Sequence, residues 1–230
     1  MFNNTIQTSV GRSVESNEAQ NKVLRNTYML LALSMIPTIL GAFLGVSSGI
    51  LLGMGTGMSA MVFLGGAFAF MFAIEKTKHS SIGVMVLLAF TFFMGLMLSR
   101  LLTPILGLSN GSMLIMTAFV GTGLIFGGMA FLSTVIKRDL TAMGKFIFVG
   151  AIMLLVGSIA NIFFQSTVFM LVISVAAIGI FSAFMLYDLR RIIDGGETNY
   201  ITATLGLYLS IYNVFQSLLS ILGIFGGGRD

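Results

Sequence analysis

The pentapeptide GLSNG, Gly107 to Gly111, fits Gly-x-Ser-x-Gly, the spacing that sets a hydrolase serine on a sharp strand-to-helix elbow. Such a serine needs a histidine base, and the chain has one histidine, His79. Cysteine is absent, which excludes disulfides, thiolate metal sites and cysteine nucleophiles. No His, Asp or Glu cluster has metal-ligand spacing, and no phosphate-cradling loop joins a strand to a helix. His79 follows Lys78 and reads as a loop residue with the means to sense pH. The densest group of ionisable side chains lies elsewhere. Asp188, Arg190, Arg191, Asp194 and Glu197 crowd into "YDLRRIIDGGETNY", Tyr187 to Tyr200. The 42 residues leading into it, Phe146 to Tyr187, contain no Asp, Glu, Lys or Arg.

Composition says what must position these groups. Of 230 residues 57% are hydrophobic and 9% charged, with a mean hydropathy of +1.02. A soluble domain carries about 25% charged residues, so this much apolar surface calls for a lipid bilayer. The net charge of +4 then reflects how basic residues orient membrane spans, not affinity for nucleic acid. Residues 1–25 are polar and predicted to be a disordered cytoplasmic tail, with an uncleaved first span after it. Residues 26–230 form the transmembrane domain.

A spanning helix takes about 20 mostly apolar residues. Asn26 to Ile74 holds two spans, with a turn expected at "GVSSG", Gly45 to Gly49. Ser80 to Ser99 is one span, and "TPILGLSNGS", Thr103 to Ser112, reads as a loop before another at 113–135. Residues 146–187 split at "NIFFQST", Asn161 to Thr167, and Thr198 to Gly228 supplies the last span. That makes an all-α protein of seven transmembrane helices. Ten basic residues then fall on one side, and only Arg100 and Arg229 on the other. The asymmetry predicts a cytoplasmic N-terminus and an external C-terminus. GLSNG becomes an external loop between helices, far from His79, and serine hydrolysis is discarded. The charged stretch becomes a solvated cytoplasmic hinge.

Within the spans, small residues replace charges. "GAFLG" (Gly41 to Gly45), "GMGTG" (Gly53 to Gly57) and "GLIFG" (Gly123 to Gly127) each fit Gly-x-x-x-Gly, which lets helices approach closely in lipid. Pro37 should kink the first span. In the seventh, Thr202, Gly206, Ser210, Asn213, Ser217, Ser220 and Gly223 recur at steps of 4, 4, 3, 4, 3 and 3, a single helical face. Lipid does not solvate such a face, so the last helix is expected at the centre, with Gly157, Ser158 and Asn161 as partners. Two uses stand open: interhelical hydrogen bonding, or a hydrated ion or proton path.

Three stretches resemble the bacterial inner-membrane branch of the Bax inhibitor-1 family. They are "NKVLRNTYMLLALS" (Asn21 to Ser34), "GSIANIFFQ" (Gly157 to Gln165) and "GGETNYITATLGLYLSIYNVFQSLLSILG" (Gly195 to Gly223), with the closing "RD". The resemblance implies the partner FtsH, a membrane-anchored ATP-dependent zinc protease that binds such proteins as slow substrates and is restrained by them. The N-terminal tail would then be the protease's handle. Other relatives leak calcium in a pH-dependent way through two aspartates. Asp188 in "YDLRR" matches the first, but the second falls in a "YLD" segment that reads "YLS" here, with Ser210 in place of the carboxylate. One carboxylate is weak for a hard cation wanting about 6–8 oxygens, and Asp188 is expected to pair with Arg190, Arg191 or another basic residue. The reading is therefore a protease modulator that binds without catalysis or cofactor. The alternative is a calcium or proton leak through Asp188, Ser210 and Asn213.

Overall fold

The structure, a computed structural model, describes residues 2–137 and 140–226. Among these it has seven helices and no strand: α1 Phe2–Ser48, α2 Thr56–Thr77, α3 Ser81–Leu106, α4 Gly111–Val135, α5 Thr141–Phe164, α6 Thr167–Ile193 and α7 Tyr200–Gly226. All seven contain a segment long and apolar enough to cross a bilayer. At 1.5 Å per residue the shortest, of 22 residues, reaches about 33 Å, against a hydrocarbon core of about 30 Å. Phe146 and Phe163 are 78% and 80% exposed, as befits side chains that face lipid. The chain is a polytopic membrane protein.

The boundaries depart from expectation in three places. α1 runs from Phe2, so the helix passes through the residues read as a disordered tail, ahead of the apolar run that begins near Tyr28. Once a span has nucleated, each further residue adds one hydrogen bond at little cost. α1 also takes in Gly45 to Ser48 of the expected turn "GVSSG" and ends where Gly49, the last residue of that stretch, turns at φ +62°. α3 continues through Pro104 to Leu106, because Leu102 and Ile105 are buried in the core and hold the last turn in place. α1 likewise continues through Pro37. Arg138, Arg229 and Asp230 lie outside the described residues.

The predicted break in "NIFFQST" is a two-residue corner. Gln165 takes the left-handed conformation (φ 48°), Asn161 Oδ1 accepts from the Ser166 amide at 3.1 Å, and Ser166 Oγ caps α6 by accepting from the Phe169 amide.

α7 is the central element, as its polar face implied. It packs on α6, α4, α1 and α3, with a slight contact to α2, and Phe225 is its only exposed residue among those described. Opposite the small-residue face, Tyr208 and Tyr212 stack with ring centroids 6.2 Å apart. The Tyr208 hydroxyl lies 2.9 Å from Thr38 Oγ1 of α1, and Tyr212 donates to the Met94 carbonyl of α3. The second strong seam joins α1 to α3. A side chain at Gly41 would run into the Phe92 carbonyl, one at Gly45 into Ser99, and one at Gly95 into the Thr38 carbonyl. Among the three Gly-x-x-x-Gly matches, only this one is a packing seam. Gly53, Gly57, Gly123 and Gly127 have nothing within 4 Å of where a Cβ would stand. α5 is peripheral and is held by α6.

Candidate functional site on the last helix

The site begins at the basic end of the bundle, where the α6–α7 turn gathers the charged residues. Gly195, at φ +76°, closes α6, and its amide and that of Gly196 cap the Ile192 and Arg191 carbonyls. Arg190 forks onto Asp194 (Nη2 to Oδ1, 2.7 Å; Nε to Oδ2, 2.8 Å) and also donates to the Ser133 carbonyl of α4. Arg191 pairs with Glu197 at 3.4 Å. Asn199 then starts α7, its Oδ1 accepting from the Ile201 and Thr202 amides while its Nδ2 donates to the Lys78 carbonyl at 2.8 Å. The charged stretch is thus a folded clasp between α2, α4, α6 and α7, more than a solvated hinge. Asn199, which the sequence reading passed over, is its pivot.

Asp188 lies one turn below this clasp and has no part in it. The basic partners expected for it, Arg190 and Arg191, bind Asp194 and Glu197 instead, because those acceptors are local to the turn. Among the described residues no basic nitrogen comes within 4 Å of its carboxylate. That carboxylate rests on Gly206 of α7: a Cβ there would stand 2.8 Å from Oδ2. The two helices meet through a carboxylate and a bare backbone.

From Gly206 the small-residue face climbs away from the basic end. Ser210, buried, follows one turn on. Asn213, Ser217 and Ser220 line a cavity of about 460 Å³ bounded by α2, α5, α6 and α7. Ser158 and Asn161 of α5 line it from the far side, with Ser174 of α6 and Gln216. Gly157 does not join them and packs toward Ile173 of α6. Direct interhelical hydrogen bonding across this face is absent among the described residues. Asn213 donates to its own helix at the Leu209 carbonyl, and Asn161 holds the α5–α6 corner. The gap between α5 and α7 is an uncharged cavity whose lining is mostly apolar with hydroxyls and amides among it, large enough for water at about 30 Å³ per molecule in the liquid. Thr202 sits in the capped first turn of α7, at the clasp. Gly223 packs toward Ile105 of α3.

A bundle of seven spanning helices arranged around its last, with a single carboxylate set against that helix, defines a class of polytopic membrane protein. The family profile described as "Inhibitor of apoptosis-promoting Bax1" matches residues 20–227, and the chain belongs to this family. A Vibrio cholerae membrane protein is 38% identical over 97% of this chain and 96% of its own. A Pseudomonas aeruginosa protein is 37% identical over 96% of this chain and 97% of its own. An Escherichia coli relative, "Modulator of FtsH protease YccA", is 38% identical over 88% of this chain and 90% of its own.

Proposed function

We propose that this chain resides in a bacterial inner membrane and binds a membrane-anchored ATP-dependent protease of the FtsH type, occupying and restraining it without catalysis of its own. The observation that carries the reading is the similarity, over nearly the whole chain, to the E. coli protein named as a modulator of that protease. α1 supports it, since its polar N-terminal residues precede the apolar run that begins near Tyr28 and offer an end to be seized. In this reading the basic end faces the cytoplasm and the protease pulls from there. Deleting residues 2–17 tests it while sparing Gln20, which packs beneath Gly195, and the orienting Lys22 and Arg25. The shortened protein should insert, escape degradation and stabilise the protease's other substrates. Equal lifetimes for both forms in cells containing the protease would sink the proposal.

The cavity favours a second reading, a pH-sensitive calcium or proton leak along Asp188, Ser210 and Asn213. Against calcium stands Ser210, which supplies no carboxylate. Ion flux into proteoliposomes, measured at two pH values, decides: a flux lost in Asp188→Asn would promote the leak, and no flux above protein-free vesicles would remove it.

A further inference from the structure

Arg100 lies in the last two turns of α3, toward the end remote from the basic loops, and it is the only cation there among the described residues. It clamps the α1–α2 turn. Nη1 donates to the Met54 carbonyl at 2.9 Å, to the Leu51 carbonyl at 3.4 Å and to Ser59 Oγ, and Nη2 donates to Thr56 Oγ1 at 3.0 Å. Every one of these acceptors is neutral. The carboxylates whose side chains the structure describes, Glu18, Glu75, Asp188, Asp194 and Glu197, all lie in the basic half of the bundle. Nε and one Nη2 hydrogen have no acceptor among the described residues. An arginine edge of that kind is suited to a planar or tetrahedral oxyanion.

Beside the guanidinium lies a groove of about 300 Å³, lined by Leu51, Ala60, Phe63, Leu98, Leu101 and Ile162, with few polar atoms. Its walls are α2, α3 and α7 with Ile162 of α5, and α2 and α5 share no packed interface. A cation with no carboxylate partner among the described residues, beside an apolar groove near a span terminus, matches an amphiphile with an anionic head. We propose that one anionic phospholipid of the adjoining leaflet binds here, its phosphate on Arg100 and an acyl chain in the groove between α2 and α5. The lipid would complete the wall that α2 and α5 leave open.

The full-length protein, purified in neutral detergent, is titrated with phosphatidylglycerol, phosphatidylcholine or inorganic phosphate. Bound lipid is counted by native mass spectrometry, and melting temperature is followed in parallel. One phosphatidylglycerol should be retained about tenfold more tightly than phosphatidylcholine, whose ammonium offsets its phosphate, and should raise the melting temperature. Arg100→Gln should abolish that preference. Because this change also loosens the α1–α2 turn, Ala60→Phe serves as a second variant: it keeps the arginine's bonds, fills the groove and should lower retention of both lipids. The proposal is overturned by equal retention of the two lipids, by a preference that survives Arg100→Gln, by unaltered retention in Ala60→Phe, or by inorganic phosphate alone reproducing the thermal gain.

Discussion

At Gly206 a hydrogen stands where any other residue would place a carbon, 2.8 Å from an oxygen of Asp188. The carboxylate is the far end of a side chain, so it can yield by rotating, but it then gives up the position that the helix pair sets for it. Gly206→Ala should therefore destabilise the bundle by about 1–3 kcal/mol, the ordinary cost of overpacking a filled interior. Gly206→Leu should be worse. Asp188→Ala in the same chain removes the obstructing oxygen, so the double variant should melt higher than the sum of the single losses predicts. Thermal unfolding in detergent measures the single variants and the double, and strictly additive losses would show that the two residues do not touch. Asn213 is a weaker target for disruption than its polarity suggests, because its amide already bonds within its own helix.

At the scale of the element, one spacing has two fates. Gly95→Leu drives a side chain into the α1 backbone at Thr38, and the melting temperature should fall steeply. Gly127→Leu, in a span whose Gly-x-x-x-Gly motif meets nothing, should leave it nearly unchanged. Equal effects at both positions, by the same melting assay, would refute the α1–α3 seam. This pair marks how far the sequence could be read. Seven spans were legible because an apolar run needs no partner to declare itself, and the polar face of α7 was legible because a period near 3.6 belongs to one helix alone. A spacing of glycines says that a helix can be approached; it does not say by which neighbour. For the same reason Gly157, Ser158 and Asn161 were expected as partners of α7, whereas Ser158 and Asn161 meet it only across a cavity and Gly157 packs toward α6. Asn199 and Arg100 went unread because their partners are backbone carbonyls in distant turns, which no side-chain pattern reveals.

For the whole molecule the strongest remaining expectation is orientation. A reporter placed in the 137–145 loop should read as cytoplasmic and one fused after Asp230 as external, as the ten-to-two division of basic residues requires. Both reading as cytoplasmic would break the odd span count. The central place of α7 also sets an order on assembly during synthesis. α1 and α3 leave the ribosome early and can zip together along Gly41, Gly45 and Gly95. The helix they and the others surround emerges after all six. Until then Thr38, Thr91 and the Met94 carbonyl have no tyrosine to meet, and Asp188 has no backbone to rest on. Contacts so distant in sequence close slowly. A nascent chain stalled before Tyr200 would leave the Asp188 carboxylate without the helix it rests on, while Thr38 and Thr91 keep only the bonds within their own helices, a mark by which quality control can tell an unfinished molecule from a complete one.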